Sequence, residues 1–457
     1  MNINRHHKIF FLSAGQLTTK KERNPFNLNQ LYLNYGLLSI ASLLKSQGLL
    51  PIQFHGNFDA PVDFYAKLCE FGFNDNKNPV FISIPSFYAV SWCDELTKII
   101  KKHTPSKKIV IGGRWVIDGE SQLLKKHIQN VDIIIDGIAE LKLLGLLGID
   151  TKQYDKNFYP TLDYSILQDR KRYQPSFEVA RGCGMKCNFC QERDIPLQSL
   201  KPPQQLIDEI SLNLLDDQLT PMSPYFEASL FKPNERWVSE FTEIKQHYKF
   251  NFNWRTESRV DAITPQNIKQ LSVSGLKVLD LGIESASGIQ LKKMGKTHNP
   301  IKYLAKAELL LQSCAENNIL TKINILLYSG ENKQTIDETY KWLERNKPLI
   351  SGISMGPVIA FGWDHKKHDF INELINDGAT INQEKSLVGI THFDLSNQIS
   401  YDQAIDISKD ISCEFMSAEN YYKLKSFSYF PRDYTYASFI TDVKNSSSKL
   451  SFDVSKL

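Results

Sequence analysis

The sequence predicts an α/β chain in which two parallel-sheet architectures follow one another, a doubly wound, Rossmann-like domain and then six βα units, with an extension behind them. Two observations predict it: short apolar runs alternate with helix-period patterns from residue 8 to about 140, and the same alternation resumes after residue 175. A third is the pause between them. Residues 148–174 are rich in Asp, Lys and Tyr and read as a linker. The expected division is therefore 1–147, 148–174, 175–365 and 366–457.

In the first domain the expected strands are Lys8–Ser13, Pro51–Gly56, Val80–Ser86, Lys108–Gly113 and Val131–Asp136. Leu33, Leu37, Ile40, Leu43 and Leu44 recur at helical spacing and stop at Gly48; Leu96, Ile99 and Ile100 repeat the pattern. Such sheets bind ligands beyond the carboxyl ends of their strands, which places Ser13–Gly15, His55–Asn57, Ser83–Ser86 and Gly112–Trp115 along one edge. In the second unit Ser176–Arg181, Pro224–Ser229, Phe250–Glu257, Val278–Ser285, Leu320–Ser329 and Gly352–Ala360 read as strands, separated by helical patterns such as Ile301–Gln312. Residues 366–457 gather Tyr421, Tyr422, Phe427, Tyr429 and Phe430, which suits either a cap over a substrate or a packing appendage. The tail from Asn445 is expected to fray.

The most informative residues follow Ser176–Arg181, the first strand of the second unit. Cys183, Cys187 and Cys190 form a CxxxCxxC run, and the other four cysteines, Cys69, Cys93, Cys314 and Cys413, are scattered singly. A zinc site usually pairs two short Cys or Cys/His clips, and no second clip follows here. A four-iron cube held by three thiolates instead leaves one iron open to an outside ligand, the arrangement of a reactive centre.

Composition is that of an ordinary soluble protein. With 54 basic and 51 acidic side chains among 457 residues, net charge +3, there is no field that argues for nucleic acid or an anionic membrane. The amino terminus lacks the apolar core and cleavage site of a signal peptide, and no apolar run reaches membrane-spanning length. Cysteines without a paired framework suit a reducing compartment, so a cytoplasmic location is expected.

With Phe189 just before its last cysteine, the trio resembles the signature of radical S-adenosylmethionine enzymes. The resemblance implies a partial barrel built from the six βα units and a 4Fe-4S cluster on Cys183, Cys187 and Cys190. It further implies S-adenosylmethionine on the fourth iron, an external one-electron donor such as flavodoxin or ferredoxin, and hydrogen abstraction by a 5′-deoxyadenosyl radical. It also suggests cofactor-binding residues at successive strand ends. Glu227 stands where the family has an acidic residue on the methionyl amine, although two glycines before it are missing. Arg255 or Arg259 would hold a carboxylate or salt-bridge Asp261, and Glu284 with Ser285 suit ribose or the amine. Tyr328 and Ser329 replace a glycine and a proline of the usual fifth strand.

The first domain is similar to the cobalamin-binding domain that precedes the radical module in one subgroup. The matching parts are Leu33–Leu38, Ile82–Ile84, Val110–Gly113 and Val131–Glu140, with Gly112 and Gly113 expected to admit a bulky ligand. The Asp-x-His-x-x-Gly motif is absent, since His55 has no aspartate two residues before it. The resemblance thus implies cobalamin-dependent methylation of an unactivated carbon in a small molecule or peptide. Two alternatives stand beside it: a radical rearrangement, cyclisation, epimerisation or desaturation with a vestigial first domain, and a non-catalytic metal-binding protein.

Overall fold

The computed structural model describes the chain except residues 2, 18–25, 27–28, 117–120, 153, 155–157, 214–221, 363–364, 447–449 and 456. Its first unit runs β1 (Lys8–Ser13), α1 (Tyr35–Ser46), β2 (Leu50–His55), α2 (Pro61–Glu70), β3 (Val80–Ser83), α3 (Val90–His103), β4 (Ile109–Gly112), α4 (Ser121–His127), β5 (Ile133–Ile134) and α5 (Glu140–Leu146). The strands pair in parallel in the order β2-β1-β3-β4-β5. Helices on both faces bury β1 and β3 completely beyond Lys8, which is why those strands are continuous apolar runs rather than alternating ones. The order reverses between β1 and β3, so the crevice for a ligand opens there. Asn34 sits on that crevice: it caps α1 by accepting from the Leu37 amide (3.0 Å), and its amide donates to Ser13 Oγ (3.1 Å) and Ser83 Oγ (3.0 Å).

The second unit comprises β6 (Ser176–Ala180), α6 (Pro203–Leu212), β7 (Tyr225–Ala228), α7 (Glu235–His247), β8 (Trp254–Arg259), α8 (Pro265–Val273), β9 (Leu276–Glu284), α9 (Gly288–Lys293), α10 (Pro300–Glu316), β10 (Leu320–Leu327), α11 (Lys333–Arg345) and β11 (Gly352–Pro357). Its six strands are parallel in sequential order from β6 to β11, a partial barrel open between its first and last strands. The expected β8 is displaced: it begins at Trp254 rather than Phe250, because the Trp254 amide is the one that reaches Gly275 (2.9 Å). The slip carries the strand two residues further, to Arg259.

Behind the barrel come β12 (Ala360–Phe361), α12 (His365–Asn376), β13 (Thr380–Leu387), β14 (Ile390–Asp394), α13 (Tyr401–Phe415), α14 (Ala418–Ser426) and α15 (Tyr436–Asn445). The three strands make a small antiparallel sheet, β12-β14-β13. It lies on the mouth side of the barrel, where Gly330 donates to Leu395 O (2.7 Å), and Phe361 meets Phe87 and Trp115 of the first unit. Trp115 is therefore part of an aromatic joint between units. The aromatic cluster of α14 and α15 lies at the opposite end, where Tyr421, Phe430, Phe439 and Phe452 pack with Val278 near the start of β9. The tail does not simply fray. Phe452 is buried and the Asp453 amide bonds Met416 O (2.8 Å), while residues 447–449 lie outside the described residues.

The linker is packed too. Leu162, Tyr164 and Ile166 join a hydrophobic core that runs without a break from Ile9 and Leu38 through Phe177 to Ile353, and Leu167 bridges to Gln53 on the outer strand β2. Covering that edge removes an exposed pairing template.

Candidate active site

The three cysteines lie on the loop after β6, and its backbone needs residues that tolerate positive φ. Gly182 (φ +73°) approaches Pro196 so closely that an added Cβ would stand 2.1 Å from its carbonyl oxygen; Gly184 and Lys186 also have positive φ. The loop is pinned at two points. The Cys183 and Gly184 amides both donate to Ile195 O (3.0 Å each), and Asn188 donates from its amide to Met294 O (2.9 Å) and from its side chain to Lys293 O (2.8 Å). The Leu291–Lys296 segment is thus the clamp that holds the cysteine loop on the barrel.

Burial pushes the Cys183 and Cys190 thiols up, with neighbouring cysteines adding to the effect, while Arg259 and Lys296 pull Cys183 back down. Among the described residues, no three His, Cys, Asp or Glu side chains converge as they would around a single ion. A cube makes a different demand, one thiolate for each of three irons, and cations beside those thiolates suit its negative charge. The donor set fits a cluster.

Arg259 is the side chain that ties this loop to the barrel. Its Nη1 donates to Cys187 Sγ (2.9 Å), Nε and Nη2 fork onto Asp261 (2.9 and 3.1 Å), and Nη2 also reaches Lys296 O (2.8 Å). Lys296 in turn pairs with Glu284 (2.9 Å), whose φ of +69° turns its carboxylate back over Gly282. Ser285 points elsewhere: its hydroxyl meets Thr339 Oγ1 (3.1 Å) and accepts from the Ser287 amide (3.0 Å), fastening β9 to α11.

Deeper in the barrel the strands bring together a polar lumen that sequence reasoning only partly named. Glu178 stands opposite Glu227 in register, Glu257 opposite Asp280, and Lys322 opposite Asp280. Arg181 neutralises Glu178 (2.8 Å), and Arg255 and Lys322 neutralise Asp280. Burial, reinforced by Glu257, pushes the Glu227 carboxyl up to about 8, and burial with Asp280 raises Glu257. Arg255 is held near the amino end of β8, between the Tyr225 and Tyr429 rings, and its Nη1 donates to Leu424 O (2.8 Å), while its Nε has no partner. The two arginines expected to hold a carboxylate are therefore both occupied, Arg255 by Asp280 and Leu424, Arg259 by Asp261, Lys296 and a cysteine. Glu178, Glu257 and Asp280 were missed. Period-two alternation along β6 to β9 would have found the acids, since each falls on the inward parity with Glu227.

At the carboxyl edge of the first sheet, a cleft of about 140 Å³ is lined by Ser13, Tyr32, Asn34, His55, Pro85 and Ser86, among others, and meets a cavity of about 650 Å³ at His55, Asn57 and Phe58. His55 is buried; its Nε2 accepts from the Asn34 amide (2.9 Å), which leaves the ring proton on Nδ1, and Nδ1 has no partner. Burial drives its pKa down to about 3, so the ring stays neutral. Ser86 caps the turn after β3 (3.3 Å to the Tyr88 amide) and faces the cleft, while Ser83 is turned to Asn34. Gly113 is hemmed in by its own sheet. A Cβ on Gly113 would stand 2.7 Å from Ile84 N and Ser83 Oγ, so its smallness serves the crossing of β4 over its own neighbour.

Residues 177–343 match the family model described as the radical SAM superfamily. No curated protein matches the chain in sequence. Among solved structures it is similar to the radical S-adenosylmethionine methyltransferase TsrM from Kitasatospora setae with cobalamin and a 4Fe-4S cluster bound, at TM-score 0.61 and 13% identity over 85% of this chain and 82% of that one. The same enzyme with tryptophan substrate and an S-adenosylmethionine analogue aligns at 0.56 and 14% identity over 77% and 73%. The cobalamin-dependent S-adenosylmethionine radical enzyme OxsB aligns at 0.55 and 16% identity over 81% of this chain and 55% of its own, so the chain spans about half of OxsB. Among the described residues no helix is long and apolar enough to cross a membrane. Residues 177–343 are thus a domain of the radical SAM superfamily, whose cofactors are a 4Fe-4S cluster and S-adenosylmethionine, and the fold as a whole is shared with TsrM and OxsB.

Proposed function

We propose that the enzyme binds cobalamin between its first sheet and its barrel and methylates an unactivated carbon of a small molecule or peptide. The observation that carries this is the extent of the likeness, which takes in the first domain as well as the barrel, to an enzyme solved with both cobalamin and cluster. The crevice is consistent with it. The unpartnered Nδ1 of buried His55 and the polar groups of Asn57 and Ser86 offer contacts for such a ligand over the ends of β1 to β3, whereas the closed packing at Gly113 directs it away from β4.

Cys183, Cys187 and Cys190 would hold the cluster. Glu284 and Lys296, an acid and a base side by side at the mouth, match the ammonium and carboxylate of the methionyl group. Glu227 lies deeper and would accept from an amine that enters the lumen. When bound, cluster and S-adenosylmethionine supply a carbon radical that removes hydrogen, and cobalamin supplies the methyl group. The protein's part is to close the chamber: Tyr35, half-buried at the head of α1 near Glu227, Glu178 and Arg114, would fill the approach from the first domain.

The test is anaerobic reconstitution with iron, sulfide and hydroxocobalamin followed by S-adenosylmethionine and a low-potential reductant. Retained cobalamin, with S-adenosylhomocysteine formed alongside 5′-deoxyadenosine, supports methyl transfer. A loaded cluster that yields 5′-deoxyadenosine alone from protein that retains no cobalamin would favour the rearrangement reading.

A further inference from the structure

We infer that Arg259 and Asp261 form a charge couple that sets the reduction potential of the cluster through Cys187. The inference rests on the reading that Cys183, Cys187 and Cys190 ligate that cluster, and it adds a role for residues outside the ligand set. Every polar hydrogen-bearing nitrogen of the Arg259 guanidinium is placed. Nη1 donates to Cys187 Sγ at 2.9 Å, Nε and Nη2 lie 2.9 and 3.1 Å from the two Asp261 oxygens, and Nη2 reaches Lys296 O at 2.8 Å. Arg259 and Cys187 are 6% and 5% exposed, so solvent screens their contact weakly, whereas the Asp261 side chain is 28% exposed.

Reduction adds one electron to the cube and no proton, breaks no bond, and makes cluster and thiolates one unit more negative. The electron comes from a low-potential one-electron donor. A guanidinium in contact with a ligating sulfur stabilises the more negative state more than the less negative one, and so raises the potential. Asp261 opposes it. Its carboxylate holds the far side of the same guanidinium, so the cluster feels a cation partly cancelled by an anion one side chain further out.

An arginine suits this placement better than a lysine. Only the planar fork can hold Asp261 with two nitrogens while a third points at sulfur. The slip of β8 that makes Arg259 its last residue gives the geometry, because Gly282 opposite in register leaves room above it for Glu284 and Lys296. The role is one of tuning and positioning; Arg259 donates to a ligand and is itself no ligand.

The two halves of the couple give shifts of opposite sign, which a merely structural role would not. Wild type, Arg259→Gln, Arg259→Lys and Asp261→Asn are reconstituted anaerobically without S-adenosylmethionine. Each is titrated with titanium(III) citrate and mediators while the reduced cluster is followed by electron paramagnetic resonance. The expected result is a more negative potential for R259Q, a more positive one for D261N, and a value between wild type and R259Q for R259K. Potentials equal to wild type in R259Q and D261N, or shifts of the same sign in both, would overturn the inference. Should R259Q fail to take up a cluster, D261N decides, since it keeps the arginine: a positive shift supports the couple and an unchanged potential rejects it. The readout needs neither cobalamin nor substrate, so its failure leaves the methylation reading standing, while a wild type that takes up no cluster removes both.

Discussion

Glu227 shows how a single side chain reports the state of the lumen. Its carboxyl is raised from 4.5 to about 8, first by burial and then by Glu257. A group whose folded pKa lies above its unfolded value favours the folded state fully below the lower value and loses that contribution as pH rises through the higher one. The apoprotein should therefore lose stability between about pH 4.5 and about 8 through this group. Glu227→Gln should flatten that slope and stabilise the apoprotein at alkaline pH by on the order of 1–2 kcal/mol, less than full linkage because part of the carboxyl meets the open lumen. Melting temperatures of both proteins across the window check it, and parallel curves would mean that the carboxylate is already solvated. Glu227 itself was legible in the sequence, but its setting was not, because Glu257 and Asp280 lie 30 and more positions away and meet it only through strand register. The same holds for Arg255 and Arg259. Both read equally well as carboxylate clamps, and only the packed structure separates the one shut against Asp280 and Leu424 from the one at the thiols.

At the scale of the element, the cysteine loop depends on backbone shape as much as on sulfur. Gly182→Ala would set a Cβ 2.1 Å from Pro196 O at a φ of +73°, so the loop between Arg181 and Ile195 has to move. The variant should fold, since the barrel strands are untouched, yet bind well under half the iron of wild type per chain after reconstitution; iron and sulfide analysis beside a melting curve separates the two effects. Gly56→Ala makes the matching test in the first domain. Its Cβ would stand 2.6 Å from buried Trp92 and 2.7 Å from Gly15 N, and such overpacking should cost about 1–3 kcal/mol in thermal stability. The parallel strands were legible because burial on both faces leaves an apolar run, as in β1 and β3. The small sheet at the mouth of the barrel was not. Its β13, TINQEKSL, is partly or fully exposed along its whole length and carries no core signal; the alternation before Trp254 misled in the other direction, since Phe250 and Phe252 pack as a strand would without joining the ladder.

Over the whole molecule the two units share one core and two charged seams. The hydrophobic cluster that contains Ile9, Leu38 and Leu44 of the first domain also contains Phe177, Leu281 and Ile353 of the barrel, with linker residues Leu162 and Tyr164 between them. Across the seam Arg181 joins Glu140 (2.9 Å) and Arg114 joins Glu192 (2.5 Å), the second linking the first domain to the residue two places after Cys190. Exposed pairs of this kind add little stability, and Arg114 is largely exposed, so the cohesion has to come from the apolar core. Composition and motif order could announce two architectures, but they could not say that the linker is an interior element, because Leu162, Tyr164, Ile166 and Leu167 are too few and too irregular to read as a strand or helix. Domains joined through a continuous core unfold together. The apoprotein should accordingly show one cooperative calorimetric transition, and a chain cut to residues 175–457 should fail to give a soluble barrel, since removing α1 and the linker strips the cover from Phe177 and Val179. Two separated transitions, or a stable truncated barrel that still takes up iron, would show instead that the first domain is a detachable module, and that Tyr35 and Arg114 meet the cluster side only by docking.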